Sequence, residues 1–224
     1  MNEYTKINTI WKRDERGQII EGDYATPELA FLADLDWEWT EKVDGTNVRV
    51  GWDGSAVEFG GRTANAQMPT KLVGALREMF GDLGRLTATF GDSTVVLYGE
   101  GYGAGIQGGG GNYSPTQTFV LFDVTVGPWW LRRDDVLDVA AKLGLDVVPV
   151  IGHGPLSWAA ERVRHGLQST WGDPERSAGF PAEGLVGRPA VDLFSRKGER
   201  IMAKIKTRDY RDARARENGT EPVA

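Results

Sequence analysis

The sequence predicts an α+β fold made mainly of antiparallel sheet and flanked by helices. Short runs of alternating or β-branched residues recur along the chain and are separated by Asp-Gly turn signals, which is typical of antiparallel strands. Three other segments repeat apolar residues at helical spacing. Strands and helices do not alternate strictly, as they would in a parallel, doubly wound fold.

The first strands are predicted at 37–40, 47–52 and 57–59, with turns at 43–46 and 52–55. The two Asp-Gly turns between them predict that the three strands pair as an antiparallel meander. Later elements follow the same two patterns: helices at 69–80, 134–143 and 157–167, and strands at 94–98, 118–124, 147–151, 185–186 and 201–205.

Length and composition narrow the class of protein. A chain of 224 residues can bury one sizeable core, so a single domain is expected over 1–224, with a charged, partly disordered tail over 209–224. The absence of cysteine excludes a thiol nucleophile, a disulfide framework and a cysteine-based zinc site. His153 and His165 are the only histidines, which argues against a histidine-based triad.

The termini and the charge add two expectations. The opening residues are polar and charged, and no apolar run is long enough to cross a membrane, so a cytoplasmic protein, with a monomer favoured, is expected. The net charge of −6 argues against nucleic acid as a partner, but residues 196–217 hold nine basic and four acidic side chains. That basic stretch is either a nucleic-acid contact or a solvated helix and tail.

The most informative stretch is Glu-Lys-Val-Asp-Gly-Thr-Asn at 41–47. Lys42 stands just before a tight Asp-Gly turn, where a ligand can approach the backbone closely. A lysine becomes a covalent nucleophile when a desolvated pocket or neighbouring cations favour its neutral amine. Taken alone, Lys42 could equally be an exposed side chain beside a turn.

Residues 42–47 resemble motif I of the covalent nucleotidyltransferases, which comprise DNA ligases, RNA ligases and mRNA capping enzymes. The further motifs of that superfamily follow in the expected order: an arginine at Arg62, motif III at 98–100, motif IIIa at 119–123, motif IV at 183–186 and motif V at 204–206. The resemblance covers about residues 4–210, nearly the whole chain. Motif I is fairly specific, whereas the others gain weight from their joint order.

The resemblance implies a role for each motif residue. Lys42 would be the nucleophile, with Lys204, Lys206 and Asp44 as further catalytic residues. The implied nucleotide contacts are Glu41, Lys42, Asn47, Arg62, Glu100, Phe122, Lys204 and Lys206. Glu183 and Asp123 would serve the metal, and Arg188 and Arg208 would contact RNA. The period-2 spacing of Lys204 and Lys206 independently predicts that both lie on one face of a strand.

Within the superfamily, the chain is similar to RNA ligases of the RNA ligase 2 type. Asn47 at the end of motif I and the opening residues 4–10 carry this similarity. Asp44 and Arg188 depart from it, since some relatives have histidine at the first position and many have lysine at the second. Nothing after Tyr210 is long enough for an OB-fold, which lowers the expectation of a DNA ligase.

The implied protein is an ATP-dependent RNA ligase with an ATP-grasp-like adenylyltransferase domain. Its cofactors would be ATP and Mg²⁺ or Mn²⁺, and its partner would be RNA with 5′-phosphate and 3′-hydroxyl ends. Three alternatives stay open: a DNA ligase, a guanylyltransferase that uses the same lysine, and a non-catalytic nucleotide- or RNA-binding module. The Gly-rich residues 101–111 are not followed by Gly-Lys-Ser/Thr and so are not a P-loop.

Overall fold

The computed structural model describes residues 1–63, 65–172 and 179–210, and its α+β architecture confirms the predicted fold class. The strands in chain order are β1 (Asn8–Thr9), β2 (Trp11–Arg13), β3 (Ile19–Tyr24), β4 (Trp37–Glu41), β5 (Thr46–Trp52), β6 (Val57–Gly60), β7 (Val95–Tyr102), β8 (Thr118–Val126), β9 (Trp129–Trp130), β10 (Val150–Gly154), β11 (Gly184–Pro189) and β12 (Ala203–Lys206). The helices are α1 (Pro27–Phe31), α2 (Thr70–Met79), α3 (Leu83–Phe90), α4 (Gly110–Tyr113), α5 (Arg133–Leu143) and α6 (Leu156–Arg164). None of these helices is long and apolar enough to cross a bilayer.

The chain forms two compact units and passes repeatedly from one to the other. Within the described residues, the first unit contains Met1–Tyr4, Val43–Val148 and residues 171–172. The second unit contains Thr5–Lys42, Pro149–Thr170 and residues 179–210. The single adenylyltransferase domain expected from the sequence stays a prediction, and most of the expected tail lies outside the described residues.

The first unit is built on an antiparallel sheet in the strand order β6-β5-β7-β8-β9. One face of this sheet is apolar because every second residue of β5, namely Val48, Val50 and Trp52, points to the same side. That face packs with the apolar sides of α2, α3 and α5 into one core. The opposite face is left for polar and aromatic side chains.

A β-bulge interrupts the pairing of β7 with β8. Tyr98 pairs with Asp123 and Gly99 pairs with Leu121, so Phe122 is an extra residue in β8. The bulge changes the phase of the alternation, since Leu121 and Val124 both belong to the apolar core although they are three positions apart. Asp123 therefore falls on the face of the sheet away from that core.

The second unit is built on a sheet in the order β1-β12-β11-β4-β10, in which only the β1–β12 pair is parallel. Its buried face carries Trp37 and Trp39 of β4, Leu185 of β11 and Ile205 of β12, packed with α6. Buried and half-buried residues alternate in β12, so Lys204 and Lys206 share the other face, as their spacing predicts.

Two predictions about strands are wrong. β4 does not pair with β5 in a meander: β4 pairs with β10 and β11, whereas β5 pairs with β6 and β7. The two strands fill different cores, and this long-range packing outweighs the local turn signal of Asp44-Gly45. The strand predicted at 147–151 is also divided, because Val147 bridges to Leu121 in the first unit and β10 begins only at Val150, in the second.

Candidate active site

Lys42 follows the last residue of β4 and is held by both its backbone and its side chain. Its amide N–H donates to the Gly184 carbonyl at 2.9 Å. Its Nζ donates to Glu183 Oε2 at 2.5 Å, and 22% of the side chain is exposed. Lys42 is thus neither buried nor free, but a partly shielded amine fixed against one carboxylate.

The same carboxylate holds a second lysine. Lys206 Nζ donates to Glu183 Oε1 at 2.6 Å, so each oxygen of Glu183 accepts from a different ammonium group. Gly184 permits this arrangement because a Cβ at its position would lie 2.0 Å from the Ile205 carbonyl oxygen. The glycine of motif IV therefore lets β11 approach β12 closely enough to bring Glu183 beside Lys206.

Lys42, Lys206 and Glu183 together give the second unit a local excess of positive charge. Lys42 and Lys206 share one carboxylate, and Lys204 lies on the same face of β12 as Lys206. Two cations facing one anion leave a residual attraction for a further anion, which is strongest where the groups are partly withdrawn from water. Such a cluster suits a phosphate group.

Glu41, next to Lys42 in sequence, lies in a different environment. It is 2% exposed, and its carboxylate accepts from the Ser169 hydroxyl, from the Thr170 N–H at 2.8 Å and from the Thr170 hydroxyl at 3.1 Å. No pattern in the sequence pointed to Ser169 or Thr170. These contacts anchor the end of β4, whereas the predicted contact of Glu41 with the nucleotide stays a prediction.

The two arginines predicted to contact RNA also lie in different environments. Arg188 donates through Nε at 3.1 Å and Nη2 at 2.8 Å to Glu38 Oε1, and only 13% of its side chain is exposed. Arg208 is exposed, near the end of the described residues. Contact of either residue with RNA stays a prediction.

The first unit carries the remaining motif residues on its sheet. Asn47 of β5 lies directly opposite Glu100 of β7, so the two side chains share one face. Asn47 Oδ1 is buried and has no hydrogen-bond partner within the described parts of the chain, which is unusual for a polar atom. Arg62 is exposed in the segment that follows β6.

Residues near the end of the Gly-rich segment support the turn after Lys42. The Asp44 N–H donates to the Tyr113 hydroxyl at 3.3 Å, and Gln107 Nε2 donates to the Gly45 carbonyl at 3.0 Å. Gly45 cannot carry a side chain here, because a Cβ would lie 2.3 Å from the Gly101 carbonyl oxygen. The sequence pointed to the Asp-Gly turn but not to Gln107 or Tyr113 as its supports.

Phe122 and Asp123 meet a residue from the start of the chain. The Tyr4 hydroxyl donates to Asp123 Oδ2 at 2.8 Å, and the Tyr4 ring packs edge-on against Phe122 with centroids 4.9 Å apart. Asp123 is 1% exposed, whereas Phe122 is half-buried. Residues 4–10 drew attention by resemblance, but nothing in the sequence assigned this contact to Tyr4.

The fit of a divalent metal depends on the carboxylates. Within residues 1–63, 65–172 and 179–210, no three histidine or acidic side chains are placed so that they could together hold a metal ion. Glu183 nevertheless fits a hard cation, because it is a partly exposed carboxylate and Mg²⁺ is commonly held by one or two carboxylates together with substrate phosphates and water. Asp123 is more enclosed, and its role toward a metal stays a prediction.

Comparisons with known proteins give the fold and the family of this chain. In structure, the chain is similar to Naegleria gruberi RNA ligase: a glutamate-to-alanine variant with ATP and Mn gives a TM-score of 0.64 at 18% identity, over 94% of this chain and 60% of that one. A lysine-to-alanine variant with ATP and Mn gives 0.63 at 18%, over 94% and 63%. The same ligase with PPi gives 0.62 at 18%, over 96% and 64%.

The chain thus spans less than two thirds of those ligase chains, and at this identity the likeness establishes a shared fold. No curated protein sequence gives a significant match. The model of the family described as RNA ligase matches residues 35–206, which include every motif from Lys42 to Lys206. The chain therefore belongs to the RNA ligase family.

Proposed function

We propose that this protein is an ATP-dependent RNA ligase that works through a covalent lysyl-AMP intermediate on Lys42. One observation carries the proposal: Lys42 and Lys206 are held on the two oxygens of the same carboxylate, that of Glu183, at 2.5 Å and 2.6 Å. A nucleophilic amine is thereby fixed next to a second cation. Phosphoryl-type transfer depends mainly on such positioning and charge stabilisation.

In the first step, Lys42 Nζ attacks the α-phosphorus of ATP. The N–P bond forms, the bond from the α-phosphorus to the bridging oxygen breaks, and pyrophosphate leaves with the electron pair. Lys204 and Lys206 stabilise the negative charge of the phosphates from one face of β12. Because the ion pair with Glu183 holds Lys42 as an ammonium, one proton leaves before the attack and a second leaves as the N–P bond forms; both pass to solvent or to a neighbouring base.

The residues proposed to bind the nucleoside belong to the first unit. Phe122 offers a half-buried ring on which adenine can stack, and Glu100 can accept hydrogen bonds from ribose hydroxyls. The buried Oδ1 of Asn47, opposite Glu100, supports a polar ligand at this face. Arg62 is exposed, and its guanidinium group can bind a phosphate.

A divalent cation, Mg²⁺ or Mn²⁺, would be held by Glu183, with Asp123 as the second predicted carboxylate, and when bound would neutralise charge on the phosphates. Such a cation would compete with Lys42 and Lys206 for the two oxygens of Glu183.

Two further steps complete the proposed reaction. The AMP passes from Lys42 to the 5′-phosphate of RNA, which forms a pyrophosphate-linked A-capped end and regenerates the lysine. A 3′-hydroxyl then attacks the RNA phosphorus of that cap, a phosphodiester forms, and AMP leaves. Arg188 and Arg208 are the proposed RNA contacts.

The ligands of the similar solved structures also support this proposal. The solved structures of Naegleria gruberi RNA ligase contain ATP and Mn, AMP and Mn, or PPi. ATP and pyrophosphate are the substrate and the leaving group of the proposed first step, and AMP is the product of the last, in a protein that shares this fold. They favour ATP over GTP for the present chain, and a ligase over a capping enzyme.

Intact-mass spectrometry after incubation with ATP and Mg²⁺ tests the first step. The wild-type protein is expected to gain the mass of one AMP, mapped to Lys42 by peptide sequencing, and GTP is expected to give no adduct. Lys42→Ala should give none, whereas Lys142→Ala should behave as wild type, since Lys142 is also a lysine paired with a carboxylate, Asp138, but is exposed. An unmodified wild-type protein, or an adduct elsewhere, would reject the proposal. Nicked and single-stranded RNA and DNA then identify the acceptor.

A further inference from the structure

The segment Met1–Tyr4 lies on the face of the first unit's sheet that points away from the apolar core. Arg49, which is 3% exposed, donates through Nη1 to the Met1 carbonyl at 3.0 Å. The Tyr98 hydroxyl donates to the Asn2 carbonyl at 3.3 Å. A buried guanidinium and a buried tyrosine therefore fix the backbone that leads to Tyr4.

Tyr4 makes two chemically different contacts on this face. Its hydroxyl donates to Asp123 Oδ2 at 2.8 Å. Its ring lies between aromatic neighbours, with centroid distances of 4.9 Å to Phe122, 5.1 Å to Tyr98 and 5.7 Å to Trp130. One side chain thus contacts two adjacent residues of β8, of which Phe122 is predicted to contact the nucleotide and Asp123 to serve the metal.

The β-bulge makes the position of the Phe122 ring depend on the contact with Tyr4. Because Phe122 is an extra residue in β8, no cross-strand neighbour in the register fixes its ring. Tyr4 supplies a wall that a regular strand pair would otherwise provide. Asp123, at 1% exposure, receives from Tyr4 a donor that sets the direction of its carboxylate.

We propose that Tyr4 is a positioning residue for adenylylation, which orients Phe122 through its ring and Asp123 through its hydroxyl. This inference rests on the proposed function, since it assigns a purpose to residues of that site. Tyr4 itself touches neither phosphate nor Lys42 in this assignment. The hydroxyl and the ring act on different partners, so they can be separated by substitution.

Two variants separate these contacts. Tyr4→Phe keeps the ring and removes only the donor to Asp123, so we expect the rate of lysyl-AMP formation to fall about tenfold. ATP affinity measured without divalent cation should stay within about twofold of wild type, because the wall beside Phe122 remains. Tyr4→Leu removes both contacts and should in addition weaken that metal-free affinity by about three- to tenfold.

The matched control is Tyr24, a tyrosine of the second unit whose ring packs on Trp11 with centroids 4.7 Å apart. Tyr24→Phe and Tyr24→Leu should leave both the rate and the ATP affinity at wild-type values. Calorimetric titration with ATP in the presence of a chelator gives the affinity, and quenched-flow mass spectrometry gives the rate. Melting temperatures of all variants identify losses that are only structural.

The outcomes are distinct. If both Tyr4 variants melt lower but keep wild-type rate and affinity when assayed well below their melting temperatures, Tyr4 is a packing residue and the inference is wrong. If Tyr4→Phe and Tyr4→Leu behave identically, the division between hydroxyl and ring is wrong. A wild-type protein that forms no adduct on Lys42 would overturn the proposed function itself, and the role of Tyr4 with it.

Discussion

The two units leave one face of their central sheets for different chemistry. In the second unit, that face carries ion pairs: Lys42 and Lys206 on Glu183, and Arg188 on Glu38. In the first unit, the corresponding face carries a cluster of aromatic rings, with Tyr4 against Phe122, beside the charged groups Arg49, Glu100 and Asp123. Both sheets bury their other face in an apolar core, so the contrast concerns only the side chains that alternate away from it.

The contrast matches the two parts of a nucleotide. Phosphates need positive charge that is already partly held in place, whereas a purine needs a flat apolar surface and a ribose needs acceptors. Under the proposed function, residues of the second unit would bind the phosphates and residues of the first unit would bind the nucleoside.

The largest expected effect comes from removing the carboxylate that organises the charged face. Glu183→Gln leaves Lys42 and Lys206 without their shared anion and should slow lysyl-AMP formation by roughly 100-fold or more. The control is Glu161→Gln, because Glu161 also contacts two basic side chains, Arg164 and His165, but is 53% exposed. A Glu183→Gln variant with a near-wild-type rate would contradict the comparison, since the ion pairs of the second unit would then contribute nothing to lysyl-AMP formation.

A smaller effect, on stability, is expected from the neighbouring buried carboxylate. Glu41→Gln replaces an acceptor of three hydrogen bonds by a group that can accept fewer, so the free energy of unfolding should fall by about 2 kcal/mol. Urea unfolding measures this, with the exposed Glu199→Gln as control, which should change stability by less than about 0.5 kcal/mol. If Glu41→Gln instead unfolds normally but loses adenylylation, Glu41 belongs to the nucleotide site rather than to the anchor of β4.

Local sequence patterns predicted many of the strands and helices but not which strands pair with each other. The period-2 alternation was enough to place Lys204 and Lys206 on one face, because side-chain direction in a strand depends only on neighbouring residues. The pairing of β4 was missed, since its partners β10 and β11 lie more than a hundred residues away and a turn signal says nothing about them. An Asp-Gly turn can connect strands of two different sheets as well as the two strands of a hairpin.

The site, like the fold, was predictable only in part. The motif order located Lys42, Glu183 and Lys206, and the structure brings these three together. The supports escaped prediction, because Tyr4 lies 119 positions from Asp123 and Thr170 lies 129 from Glu41. A hydroxyl at such a distance along the chain has no periodicity or spacing by which it could be recognised.

The smallest expected effect is on the pH dependence of the free energy of unfolding, and it comes from Tyr102. Tyr102 packs against Tyr113 and Trp171, with centroids 6.1 Å and 5.9 Å away. Burial raises the pKa of Tyr102 to about 12, with a further contribution from Asp146. The neutral phenol is therefore favoured in the folded state. Its contribution is complete below the unfolded pKa of about 10 and is lost as the pH rises toward the folded value.

Urea unfolding of wild type and Tyr102→Phe at mildly and strongly alkaline pH measures this contribution. From about pH 9 to about pH 11, Tyr102→Phe should lose roughly 1 kcal/mol less stability than wild type, because it has no phenol to ionise. Other groups, including Tyr210, whose pKa burial also raises, titrate in both proteins and cancel in the difference. The opposite sign, with wild type the less sensitive to alkali, would mean that Tyr102 ionises more readily when folded. The rings around Tyr102 would then form a polar pocket, and the contrast between an ion-paired and an aromatic sheet face would no longer hold.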